Sequence, residues 1–201
     1  MQSSQTIHLY LKENTKPLHD QTEFVMKSRE MMDLSYTVEE YIRFLQIQLR
    51  FHQVLETVLL AHPRISGHEQ LDWPRRRRSH LAMQDLEMLE ANPTLDSIIH
   101  FPDKCEAEVW GMLYVAEGST LGGNVILKAL KKNPNFEHVS AWKFLGYYGG
   151  ETGTKWREFL AILDAEYHHL GSKDDFLAGA NDAFTWLMNL SAQTQRSKSE
   201  D

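Results

Sequence analysis

Apolar residues recur along this chain at steps of three and four almost throughout, the spacing that places side chains on one face of an α-helix. Tyr41, Leu45, Gln48, His52, Leu55 and Leu59 are the clearest series. Thr37 precedes them, with Glu39 and Glu40 in the first turn, which predicts a capped helix start; His62-Pro63 and Gly67 predict its end in a surface loop. A second helix is predicted after Trp73-Pro74, carrying Leu81, Leu86 and Leu89 as far as Asn92-Pro93. A long one is predicted from about Lys104 to Lys131, interrupted by Gly118, Gly122 and Gly123. Further helices fit Val139–Tyr148, Thr152–His168 and Asp174–Ala192. β-Branched runs are few and no Asn-Gly or Asp-Gly turn occurs, so strands are not expected. The expected fold class is all-α, a single-domain multi-helix bundle of seven or eight helices over residues 1–192. A polar tail, 193–201, is expected to be disordered.

Composition narrows the function classes. With 42% hydrophobic residues in 201 and a mean hydropathy of −0.46, the chain reads as an ordinary soluble globule. Twenty-one basic against 28 acidic residues give a formal charge of −7, which argues against nucleic acid or an anionic membrane surface as main partner. The lone Cys105 cannot close an internal disulfide, which fits a reducing compartment. Met1–Thr6 lacks a charged stretch leading into an apolar one, and no apolar run approaches a bilayer's span. The expectation is a cytoplasmic protein.

Two segments carry candidate chemistry. In Leu11–Glu23, His19 and Glu23 lie four apart and share a helix face, with Lys12 two turns before His19 on the same side. A neutral imidazole that binds a metal through one nitrogen usually hands its other N–H to an acceptor, and Glu23 is placed to be one. The same pair is also what any solvated helix face carries. In Trp110–Asn124, Gly118, Gly122 and Gly123 fall within six residues. Each mid-helix glycine costs about 1 kcal/mol relative to alanine. Either the helix bends there and presents bare backbone to a flat ligand, or small residues permit a close helix crossing. The pattern is not GxGxxG and no strand precedes it, so a dinucleotide site is poorly supported.

Taken together, these segments resemble the heme oxygenase family. The carrying residues are Leu11-Lys12 through His19-Asp20-Gln21-Thr22-Glu23, and Tyr114-Val115-Ala116-Glu117-Gly118-Ser119-Thr120-Leu121-Gly122-Gly123. The second stretch is similar to the bacterial, biliverdin-producing branch, some of whose members supply bilin to phytochromes. Weaker matches extend the resemblance over nearly the whole chain: Phe51–Glu56, the Arg-rich lead into Leu81–Leu86, Gly153–Arg157 and Ala183-Phe184.

The resemblance implies heme b held between a proximal helix and a kinked, glycine-rich distal helix, as both substrate and cofactor. It makes His19 the proximal iron ligand, with Glu23 touching it. Gly118, Gly122 and Gly123 become the distal glycines, Lys12 and Arg157 propionate partners, and Phe184 a further heme contact. Two departures stand out. Ser119 occupies the place where animal members carry an aspartate that organises proton-delivering water, and Ala161 replaces a second basic propionate partner. Glu117 is an alternative carboxylate close by. The implied reaction is O2- and reductant-dependent cleavage of heme to biliverdin, carbon monoxide and ferrous iron. The electron donor is external, of ferredoxin, flavodoxin or NADPH-reductase type.

Other features admit plainer readings. His52 lies on an apolar stripe and is read as a core histidine rather than a second iron ligand. Arg75–Arg78 is read as a solvated helix start, or else as a dock for an acidic electron donor. Glu166-Tyr167-His168-His169 holds the one Glu-x-x-His, where carboxylate di-iron bundles need two. The five tryptophans are read as packing residues. Against the enzyme stand a heme carrier or sensor on the same scaffold, and a relative with a different activity, as thiamin-hydrolysing or di-iron members of the wider fold group show.

Overall fold

A computed structural model describes residues 6–93 and 103–196. Met1–Gln5 and the last residues of the polar tail, 197–201, lie outside the described residues. Among those described, all regular structure is helical: α1 Ile7–Val25, α2 Val38–Leu60, α3 Pro63–Ser66, α4 Trp73–Arg76, α5 Ser79–Met88, α6 Glu106–Leu130, α7 Thr152–Leu170 and α8 Lys173–Arg196. The predicted cap of α2 is present. The Thr37 hydroxyl accepts the Glu40 amide at 3.2 Å, and the Glu40 carboxylate accepts the Thr37 amide at 3.1 Å. Gly171, at φ +77°, ends α7 in the left-handed region that glycine adopts without strain.

Two apolar cores hold these helices together. One joins α1, α6, α7 and α8 through Leu11, Trp110, Leu113, Phe159 and Phe176, with Phe51 and Leu55 from α2. The other joins the first half of α2 to α5 and the end of α6 through Tyr41, Leu45, Leu86 and Leu130. The tightest approach is between α6 and α8, at glycines. A Cβ on Gly179 would stand 1.8 Å from the Glu108 carbonyl oxygen, and one on Gly111 would stand 2.0 Å from that of Phe176. Backbone cannot yield as a flexible side chain does, so Gly179→Ala is expected to cost about 3 kcal/mol or more. In a chain of this size that lowers Tm by roughly 6–12 °C in a thermal melt. Gly122→Ala, where nothing lies within 4 Å of the added carbon, should instead hold or raise Tm.

The structure corrects four sequence expectations. First, α6 runs unbroken through Gly118, Gly122 and Gly123. Second, the helix predicted after Trp73 is two helices, because Arg77 turns extended at ψ 133° between them. Leu89 caps the second one and lies beyond its last turn. Third, Val139–Tyr148 is not a helix: 139–142 carry no regular structure and 143–148 form turns. The fully buried Asp85 carboxylate accepts the amides of Lys143 and Phe144 at 2.9 and 2.8 Å, and the Tyr41 hydroxyl donates to the Ala141 carbonyl at 2.9 Å. Those partners replace the ladder a helix would need. Burial pushes the Asp85 carboxyl above its ordinary pKa, against the two amides that favour its charge. Fourth, α8 continues to Arg196, so the tail is helical through 193–196.

Candidate functional site

A cavity of about 660 Å³ opens between α1 and α6, in the size range of small-molecule and cofactor sites. Lys12, Thr15, His19 and Glu23 line it from α1, and Gly118, Ser119, Gly122 and Gly123 line it from α6. The turns after α6 contribute Phe144, Leu145, Tyr147 and Tyr148, while α8 contributes Phe184 and Leu187. The exposed walls are mainly apolar, and most of the charged side chains come from α1, which suits a large flat ligand with charged edges.

On the α1 side, His19 is half exposed and looks into this space. Its Nε2 lies 3.9 Å from Glu23 Oε1 and its Nδ1 lies 3.6 Å from Asp20 Oδ1, just beyond hydrogen-bond length. Among the described residues, His19, Asp20 and Glu23 form the one group of three such side chains close enough to share a metal ion. Phe184 meets the imidazole edge-on, ring centres 5.9 Å apart. Nearby, His8 and Tyr114 pair at 3.3 Å between Nδ1 and the hydroxyl, with Trp156 edge-on to His8. Burial and then Lys12 hold the His8 imidazole below its ordinary pKa, and burial pushes the Tyr114 phenol up to about 12.

On the α6 side, a Cβ at Gly122 would meet nothing within 4 Å, and one at Gly118 would meet only the Trp156 ring at 3.5 Å. These glycines therefore expose backbone to the cavity, while the close crossing to α8 belongs to Gly111 and Gly179. Gly123 differs from the other two, because a Cβ there would stand 3.2 Å from the Leu145 carbonyl oxygen. Ser119 donates its hydroxyl to the Ala116 carbonyl at 2.7 Å and accepts from Arg78 at 3.2 Å. Glu117 does not reach the cavity: it is buried, ion-paired with Arg76 and bonded by the Tyr148 hydroxyl at 3.3 Å.

A family model described as Heme oxygenase matches residues 5–193. The chain belongs to the heme oxygenase family. It is 30% identical over 186 residues to heme oxygenase PigA of Pseudomonas aeruginosa, a match covering 90% of this chain and 88% of that one. It is 36% identical over 115 residues to a heme oxygenase of Xanthomonas campestris, covering 56% of this chain and 66% of that one. Heme oxygenase from Neisseria meningitidis, solved with NO and CO bound, superposes with a TM-score of 0.74 at 27% identity, over 95% of this chain and 92% of that one.

The residues present fit heme. An imidazole faces a floor of bare backbone, aromatic rings and aliphatic side chains line the space between, and Lys12 and Lys16 line it from α1, where carboxylates would be attracted. Of the residues the sequence singled out, Lys12, His19, Glu23, Phe184, Gly118, Ser119, Gly122 and Gly123 come together around this cavity. Arg157 does not. It is exposed on α7, its guanidinium bonded to Thr154 at 3.1 Å, and it is not among the cavity's lining residues.

The Arg75–Arg78 run departs from its reading as a solvated helix start, since Arg76 and Arg78 are both buried. Trp156 is a cavity wall as well as a packing residue. His52 is buried as expected, yet its Nε2 has no hydrogen-bond partner among the described residues. Tyr114, Phe144, Tyr148 and Arg78 were missed as site residues. The first stands within the quoted motif; the others reach the cavity through turns and breaks that periodicity does not register.

Proposed function

We propose that the α1–α6 cavity performs the family's reaction, opening heme to biliverdin with release of carbon monoxide and ferrous iron at the expense of O2 and an external reductant. Heme, as substrate, also supplies the iron that binds and activates oxygen. The observation that carries the reading is the opposition of His19 on α1 to the bare glycine backbone of α6 across one cavity. His19 would hold the iron, and Asp20 and Glu23 are the acceptors nearest its remaining N–H. Phe184 limits the swing of the imidazole. Lys12, with Lys16, would attract the propionates. The α6 backbone at Gly118 and Gly122 lets a diatomic ligand sit without a side chain above it, and the apolar walls keep bulk water from the reacting edge. The electron donor is external and of ferredoxin, flavodoxin or reductase type. Among the described residues no helix is long and apolar enough to cross a membrane.

Anaerobic heme titration followed by O2 and ascorbate tests this directly. A 1:1 histidine-ligated spectrum, then loss of the Soret band with growth of a bilin band, is expected. Binding without ring opening would replace the enzyme by a heme carrier or sensor, and absence of binding would remove both.

A further inference from the structure

We infer that Arg78 is the fixed cation of the glycine side of this cavity, placed to hold an anion at the iron position opposite His19. The inference rests on the heme reading above and adds to it a residue that spacing alone does not single out.

The four arginines of the run have different partners. Arg75 pairs with Asp72 at 3.3 Å, Arg76 with Glu117 at 2.5 Å and Arg77 with Glu56 at 3.0 Å, so each is neutralised by a carboxylate. Arg78 is the exception. Its Nη2 donates to the Ala116 carbonyl and, at 3.2 Å, to the Ser119 hydroxyl, both neutral oxygens. Its guanidinium carbon lies 5.2 Å from the centre of the Phe144 ring. Its Nε has no hydrogen-bond partner among the described residues, although the side chain is only 2% exposed.

A guanidinium taken out of water costs several kcal/mol, and proteins normally recover this with a facing carboxylate. None is bonded to Arg78, and the side chain lines the cavity beside Gly118 and Ser119. Its charge persists at neutral pH because arginine holds its proton too tightly to lose it there. Burial, and then the charge of Arg78, push the neighbouring His52 imidazole well below its ordinary value. Glu117 is the carboxylate closest in sequence to the glycines; it is bonded to Arg76 and Tyr148, and with Glu56 it acts on Arg78 only through its charge, without a direct bond.

The serine cannot do this work itself. Its single proton is given to the Ala116 carbonyl, which leaves it no donor for an anion, and one of its lone pairs is met by Arg78. A reductant feeding electrons to oxygen builds negative charge on this side of the cavity, where a preorganised cation costs no rearrangement at the moment of need.

The test uses the full chain loaded with ferric heme and two small ligands, azide, which is anionic, and imidazole, which is neutral. Arg78→Met should weaken azide by about tenfold or more while imidazole changes by less than about twofold. Arg78→Lys should restore most of the azide affinity. Ser119→Ala keeps the cation and should leave azide nearly unchanged. Unchanged azide binding in Arg78→Met overturns the inference, as does an equal loss of azide and imidazole, which would make Arg78 a scaffold residue. Should Arg78→Met fail to fold, a tenfold azide loss in Ser119→Ala with Arg78→Lys unaltered would likewise overturn it by moving the role to the serine. The Soret band of the unmodified chain is recorded before any azide is added, so failure of the heme reading appears separately, as absence of that band.

Discussion

His19→Ala is expected to abolish the histidine-ligated heme spectrum and to lower turnover by about a hundredfold or more, the scale on which loss of exact positioning at a reacting centre is felt. Two imidazoles line the cavity, His19 and His8. His8 is committed to the Tyr114 hydroxyl at 3.3 Å and flanked by Trp156, whereas the nitrogens of His19 have only carboxylate oxygens at 3.6 and 3.9 Å as near polar neighbours. His19 is thus the one free to give a lone pair to iron. Removing its exposed ring from α1 leaves the helix hydrogen bonds intact, so the melting curve should stay close to that of the unmodified chain. Added imidazole should restore a nitrogen-ligated spectrum by filling the space the side chain leaves. A wild-type spectrum in His19→Ala would end the assignment, and the same loss in His8→Ala with His19→Ala unaffected would transfer it.

How far the sequence carries depends on whether a position's chemistry is written locally. The α2 stripe from Tyr41 to Leu59 and its Thr37–Glu40 cap are local facts, and the structure follows them. So is the four-residue step from His19 to Glu23, which places both on one side of α1 facing the cavity. The three α6 glycines were legible as an anomaly but not as a role: only the packing shows that Gly122 faces open space while the close crossing falls at Gly111 and Gly179. Four arginines in a row look solvated, because nothing near them in sequence marks Glu117 and the Ala116 carbonyl, about forty residues on, as partners. Residues 139–148 look helical by period, yet the buried Asp85 carboxylate takes two of their amides from a distance of 58 and 59 residues. Tertiary hydrogen bonds of that span have no signature in a local pattern. Arg157 is the converse case, a local match that the fold leaves on the surface.

Gly122→Leu separates the two duties of the cavity. The added carbon meets no atom within 4 Å, so the helix accepts the side chain without strain and the fold should melt within a few degrees of the unmodified protein. Beyond Cβ the branched end can extend over the space facing His19. A flat ligand entering between α1 and α6 keeps access to Phe184, Leu187 and the α1 lysines, so heme affinity should fall by less than about tenfold. A diatomic ligand needs the space the leucine takes, so CO should bind much more slowly to the ferrous complex and turnover should fall by about a hundredfold. Gly122→Ala should lie between the two, because one methyl reaches less far. The informative quantity is the ratio of the losses. If heme affinity and turnover fall together, the glycine serves only to admit the ligand, and the bare backbone of α6 has no part in placing oxygen. If CO binding and turnover fall while heme affinity holds, the missing side chain is what the chemistry requires, and the energetic cost of glycine in the middle of a 25-residue helix is accounted for.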